Sequence, residues 1–159
     1  MTNEQLSDST SSIFGLQLSN PTPPLKNMTT TLQIAIIDNN AVSRDLLSTL
    51  LLNGGYDVVG VSNTSPAGVA RVIKLQPHAV CIDIGHKDTE GAEALAAVQT
   101  ALPKALVFMV SATLDEDTVK NGAAQGVRGF IVKPFNPATV QATIQRAVLK
   151  LAKLHAHST

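Results

Sequence analysis

Residues 79–87 read Ala79-Val80-Cys81-Ile82-Asp83-Ile84-Gly85-His86-Lys87, an apolar run that closes on a carboxylate. Such a run suits a strand buried on both faces, where apolar residues follow one another instead of alternating with polar ones. An ionised Asp at the tip of that strand is costly unless a partner offsets its charge. The run therefore poses two questions: what packs on the two faces of the strand, and what faces Asp83.

The same grammar repeats on both sides. Upstream, Leu32 to Ile37 is short, apolar and β-branched. Val42 to Asn53 then carries Leu46, Leu47, Leu50 and Leu51 at helical spacing, and Gly54-Gly55 stops it. Asp57 to Val61 predicts the second strand, and Ser65-Pro66 supplies an N-cap and a first helical residue for a helix that buries Val69, Val72 and Ile73. Downstream of the Ala79–Ile82 strand, a polar loop and an Ala-rich helix from about Gly91 to Ala101 lead to a fourth strand, Ala105 to Val110. Asp115 to about Gln125 is helical with Gly126 as terminator, and Arg128 to Val132 is the fifth strand. Asn136-Pro137 opens a last helix with Val140, Ile144, Ala147, Val148 and Leu151 on one stripe. Strands joined by helices pair in parallel through right-handed crossovers. The expected fold is α/β, a doubly wound five-stranded parallel sheet with five helices on its two faces.

Composition narrows the function. With 44% hydrophobic and 15% charged residues among 159, the chain has the means to bury a core. Twelve basic side chains balance twelve acidic ones, so no net field favours nucleic acid or an anionic membrane surface, and neither is expected as a partner. Cys81 is the only cysteine, which excludes an intrachain disulfide and suits a reducing compartment. The N-terminus lacks the basic start and apolar core of a secretory signal, and no apolar run approaches the roughly 20 residues of a membrane span, so a cytoplasmic location is expected. Residues 1–31 are rich in Ser, Thr, Asn and Pro, include Asn20-Pro21-Thr22-Pro23-Pro24, and read as a flexible arm. Residues 32–154 form the domain and 155–159 a tail, with no output domain expected after it.

In sheets of this kind, function gathers outside the carboxyl ends of the strands. The first strand ends on Asp38-Asn39, the third on Asp83, the fourth on Ser111 and the fifth on Lys133-Pro134-Phe135. Taken singly, Asp38 or Ser111 reads as a helix cap or turn residue. Together they place two carboxylates, an amide, a hydroxyl and an ammonium on one rim. That set suits phosphoryl transfer: Asp83 as an oxygen nucleophile, Asp38 and Asp83 as ligands of a hard cation such as Mg²⁺, and Lys133 and Ser111 as donors to phosphoryl oxygens.

The segment from Leu32 to about Leu151 resembles the receiver domain of two-component response regulators, the CheY-like family. The resemblance rests on Ile36-Ile37-Asp38-Asn39, on Asp83 with Gly91 closing its loop, on Ser111-Ala112, and on Gly129-Phe130-Ile131-Val132-Lys133-Pro134-Phe135. It implies a flavodoxin-like sheet in the order 2-1-3-4-5, in a stand-alone receiver that is a signalling protein and not an enzyme. It further implies that Asp83 accepts phosphate from a histidine kinase or histidine phosphotransfer protein, and that Ser111 turns toward the phosphoryl group. Phe130 then rotates inward, and the surface of the fourth helix, fifth strand and fifth helix changes its affinity for a downstream target protein or a second copy of the chain.

Two departures stand out. The family has two acids after the first strand, whereas here Asp38 is followed by Asn39, an uncharged oxygen ligand that should weaken Mg²⁺ binding, with recovery expected in Asn39→Asp. Otherwise Asn39 reads as a cap of the first helix. The loop Ile84-Gly85-His86-Lys87 lacks the family's Met-Pro pair, leaving the Gly85 backbone carbonyl as a further cation ligand and His86 as a solvated loop residue. A haloacid-dehalogenase phosphatase would need a second Asp where Gly85 stands, and a flavin site would need glycines in the Asn39–Arg44 loop. The remaining rival is a degenerate receiver, a phosphorylation-independent protein-interaction module, against which Asp83, Ser111 and Lys133 together argue.

Overall fold

The computed structural model describes residues 31–85 and 89–158, with side chains through Leu154. The expected N-terminal arm and the His86 reading lie outside the described residues. Ten elements alternate without exception: β1 (Gln33–Ile37), α1 (Ala41–Asn53), β2 (Asp57–Ser62), α2 (Pro66–Leu75), β3 (Ala79–Asp83), α3 (Thr89–Ala101), β4 (Leu106–Ser111), α4 (Glu116–Ala124), β5 (Gly129–Val132) and α5 (Pro137–Ser158). All neighbouring strands pair in parallel, in the order β2-β1-β3-β4-β5. This is the 2-1-3-4-5 sheet expected from the resemblance.

Alternation along each strand divides the core in two. Ile34, Ile36, Cys81, Phe108, Val110 and Ile131 face one way and meet Leu47 and Leu51 of α1 and Val140 and Ile144 of α5. Ala35, Ile37, Val80, Ile82, Val107 and Met109 face the other way, toward Val69 and Val72 of α2 and Ala94, Leu95 and Val98 of α3. Burying each large aliphatic side chain contributes about 1.5–3 kcal/mol, so the central strands β1, β3 and β4 anchor the molecule.

The element ends follow from local chemistry. The cap of α1 is Asn40, whose side chain accepts the Ser43 N–H, and not Asn39; the helix begins one residue earlier than its apolar stripe. Past its end, Gly55 takes φ +92°, a left-handed turn that a Cβ would strain. Ser65 caps α2 with Pro66 behind it, Asp115 caps α4, and Asn136 accepts the Thr139 N–H at the start of α5. Two expectations shift. Leu46 is 55% exposed, because the stripe that meets the sheet is Leu47, Leu50 and Leu51. Helix α5 runs on to Ser158, past the expected boundary at Leu154. No helix among the described residues is long and apolar enough to cross a membrane.

Candidate functional site

Strand register brings the rim together. Ile37 pairs with Ile82, Asp83 with Val110, and Ser111 with Val132, so β1, β3, β4 and β5 end nearly level. Hydrogen bonds across the loops hold that alignment: Asp38 N–H to the Ser62 carbonyl (2.8 Å), Ile84 N–H to the Val110 carbonyl (2.9 Å) and Lys133 N–H to the Ser111 carbonyl (2.9 Å).

Asp38 is buried, at 3% exposure. Its Oδ1 accepts the Asn40 N–H at 2.8 Å, and its backbone carbonyl accepts from Arg44 Nη1 at 2.6 Å. Its Oδ2 lies 2.9 Å from Lys133 Nζ. Asp83, half-buried at the tip of β3, accepts a short hydrogen bond from the same Nζ. One ammonium thus bridges two carboxylates from the ends of two different strands, β1 and β3. The charge of Asp83 at the strand tip is offset locally, by Lys133.

The electrostatics follow from that stoichiometry. Burial pushes the Asp83 carboxyl above its ordinary value; the hydrogen bond from Lys133 pulls it back, and the neighbouring charge of Asp38 pushes it up again. Burial alone would lower the Lys133 pKa, but hydrogen bonds and charge from Asp83 and Asp38 outweigh it and raise the ammonium's pKa. The cluster holds one proton-bearing cation tightly and leaves one carboxylate charge uncompensated.

The other expected residues take varied positions. Ser111 is buried, and its hydroxyl is engaged with Thr113, accepting the Thr113 N–H and donating to the Thr113 carbonyl, each at 3.0 Å. Phe130 is half-buried on the α2–α3 side of the sheet, with its ring against Gly122 of α4. Asn39 directs Oδ1 to Thr64, whose N–H lies 2.9 Å away and whose Oγ1 lies 3.0 Å away. Gly85 lies half-buried just beyond β3. Cys81 is fully buried and its thiol is pushed up to about 12 by burial, which makes it a strand side chain without nucleophilic reactivity. His78 accepts the Gln33 N–H through Nδ1 at 2.9 Å and serves the β1–β3 edge.

Nothing in the sequence assigns Thr64, Arg44 or Thr113 a place at the site. Thr64 lies beyond the carboxyl end of β2, a strand whose apolar run is interrupted by Gly60 and Ser62, so its rim position has no sharp marker. As a cation site, the pocket provides two carboxylates that both reach one point, with hard oxygen donors of the kind Mg²⁺ prefers. Among the described residues no group of three His, Cys, Asp or Glu side chains is arranged to hold a metal ion. The donor set fits a hard cation that keeps several waters and takes few protein ligands.

Comparison with known proteins agrees with this geometry. The response regulator receiver domain family matches residues 34–145. The chemotaxis protein CheY of Thermotoga maritima is 29% identical over 108 residues, covering 68% of this chain and 90% of its own. CheY of Listeria monocytogenes is 28% identical over 116 residues, covering 73% of this chain and 98% of its own. Among solved structures, the chemotaxis protein CheY4 of Vibrio cholerae has a TM-score of 0.65 at 24% identity, covering 74% of this chain and 99% of that one. The CheX–CheY–BeF3–Mg complex of Borrelia burgdorferi gives 0.66 at 22% identity, with 74% and 89% covered.

Proposed function

This chain belongs to the response regulator receiver domain family, and from that premise we propose that Asp83 is its phosphoacceptor. The donor is a phosphohistidine on a histidine kinase or a histidine phosphotransfer protein. The observation that carries the reading is the Lys133 ammonium shared between Asp38 and Asp83 at the strand ends. A carboxylate at that position is held in place for attack by its cationic neighbour.

In the transfer, an Asp83 carboxylate oxygen forms a bond to phosphorus while the phosphorus–nitrogen bond of the donor breaks. The electron pair of that bond stays on the imidazole nitrogen, and the product is an aspartyl phosphate. Lys133 releases the Asp83 oxygen that becomes phosphorylated and turns its charge to a phosphoryl oxygen. Asp38 keeps the ammonium in place throughout, anchored by Asn40 and Arg44. Mg²⁺, held by Asp38, Asp83 and the Gly85 carbonyl, would neutralise charge on the phosphoryl oxygens. Water attack at phosphorus later restores the carboxylate.

Signalling then requires Ser111 to exchange Thr113 for a phosphoryl oxygen. Its backbone carbonyl already holds the Lys133 N–H, so the β4 and β5 ends move as one. Phe130 follows between β5 and α4, and the α4–β5–α5 face, which exposes Val119 and Val132, meets a target protein or a second copy of the chain. The test is to incubate the chain with Mg²⁺ and acetyl phosphate and weigh it intact. The expected result is one acid-labile phosphoryl adduct, absent from Asp83→Asn. No adduct on the unmodified chain would leave the phosphorylation-independent interaction module as the reading.

A further inference from the structure

The even count of basic and acidic side chains hides how they are placed. Among the described residues, every acid except Asp57 ends or follows a strand, caps a helix or lies in the first two turns of one, toward the phosphoacceptor end of the sheet. Asp57 opens β2, on the edge of the sheet farthest from β5. The opposite end, beside β4 and β5, is basic. It carries Lys104 in the α3–β4 loop, Arg128 just before β5, and Lys150 in the second half of α5. All three are exposed, and none makes an ion pair or a side-chain hydrogen bond with a described residue.

These cations line two clefts of about 560 and 230 Å³ that meet at Leu106, Arg128 and Leu151. Lys104 borders the larger cleft, Lys150 the smaller, and Arg128 both. Leu102, Leu106 and Leu151 give the clefts an apolar floor, and no acidic or aromatic residue lines either one. Cations near helix C-termini commonly serve the last carbonyls. Here those carbonyls have other donors. Gly126 N–H donates to Ala123, Val127 N–H to Gly122, and Gln99 of α3 to the Gln125 carbonyl. At the end of α3, Leu102 N–H donates to Val98 and Ala105 N–H to Leu102. Further bonds hold the floor in place: Arg128 N–H on the Val107 carbonyl at 2.8 Å and Leu106 N–H on the His78 carbonyl at 2.9 Å. The clefts are formed before anything enters them, which lowers the ordering cost of binding.

We propose that this joined cleft docks an acidic peptide segment of a partner protein, one in which carboxylates alternate with aliphatic side chains. The carboxylates meet Lys104, Arg128 and Lys150, and the aliphatic side chains lie on Leu102, Leu106 and Leu151. Charge complementarity sets the sign of the partner. The aliphatic floor selects a peptide over a single-stranded nucleic acid, whose bases stack on aromatic side chains. The recess selects a chain over a flat anionic bilayer. The surface lies at the far end of the sheet from Asp83 and stands independently of the phosphoacceptor reading.

The test uses the whole chain and a fluorescein-labelled peptide of alternating Glu and Leu, read by fluorescence anisotropy. The peptide is expected to bind, and to bind more weakly as salt is raised. Combining Lys104→Glu, Arg128→Glu and Lys150→Glu is expected to weaken it at least about tenfold, with the circular dichroism spectrum of the parent retained. Lys104→Ala, Arg128→Ala and Lys150→Ala, each alone, should weaken it about threefold. A peptide of alternating Glu and Ser should bind about tenfold more weakly than the Glu–Leu peptide, because it leaves the leucine floor uncovered. No binding by the unmodified chain, or binding that the triple variant retains, would overturn the proposal. So would oligothymidylate or phosphatidylglycerol vesicles that bind more tightly than the peptide and are lost in the triple variant, which would make the partner a nucleic acid or a membrane.

Discussion

Lys133 carries one positive charge between the carboxylates of Asp38 and Asp83, and most of the chemistry at the residue scale follows from that imbalance. The folded-state pKa of Asp83 lies above its ordinary value of 3.8, so the native state holds the proton more firmly than the unfolded chain does. Ionising Asp83 therefore costs stability, a cost that develops as pH rises from 3.8 through the raised value. Asp83→Asn should melt a few degrees higher than the parent at pH 7, an advantage that shrinks as pH falls through 3.8, as thermal melts across pH would record. Lys133 behaves oppositely. Its pKa is raised above the ordinary 10.5, so its contribution is present below that value and is lost as pH climbs through the folded-state value. Lys133→Ala should cost roughly 1–3 kcal/mol at pH 7, because it leaves two carboxylates facing each other. Adding Asp83→Asn should restore much of that loss, and urea titration of the double-mutant cycle would measure how much. Asp38, Asp83, Ser111 and Lys133 were legible in the sequence because each is a polar residue directly after an apolar run. Thr64 was not, because hydrogen bonding across two loops leaves no periodic mark.

At the scale of elements, the chain announces its strands and helices through apolar runs punctuated by Gly, Pro and capping side chains, and apart from the end of α5 the boundaries fall within a residue or two of those marks. The errors have physical causes. Leu46 is solvent-facing because one step along a helix turns a side chain about 100° away from its neighbour, and Leu47 takes the sheet-facing position. Helix α3 starts at Thr89, ahead of the Gly91 that marks the loop's end, since Gly91 is buried inside the first turns and does not terminate anything. Gly122 shows what a pattern cannot reveal. It is buried in the last turn of α4, where a Cβ would stand 2.9 Å from Phe130 Cε1 and 3.1 Å from Met109 Cε. Gly122→Ala should gain about 1 kcal/mol in helix propensity and lose about 1–3 kcal/mol to overpacking. The expected result is a lower melting temperature together with shifted Phe130 ring resonances in proton NMR. An unmoved ring would show that α4 and not the aromatic side chain yields.

At the scale of the whole molecule, the sheet order is what turns four distant residues into one site. Placing β1 and β3 side by side at the centre brings Asp38 and Asp83 together, and β4 and β5 carry Ser111 and Lys133 to the same edge. Alternation of strands and helices in the sequence was enough to predict the parallel sheet, while the 2-1-3-4-5 order came from the family resemblance, because apolar runs do not say which strand lies beside which. The central claim is that Asp83 carries the phosphoryl group, and chemical trapping tests it most directly. Borohydride reduces an aspartyl phosphate to homoserine, so the chain should be phosphorylated with acetyl phosphate and Mg²⁺, reduced, digested and sequenced by mass spectrometry. Homoserine at position 83, and nowhere else, is the predicted result; homoserine at Asp38, hydroxynorvaline at Glu90, or no reduced residue at all would contradict the account.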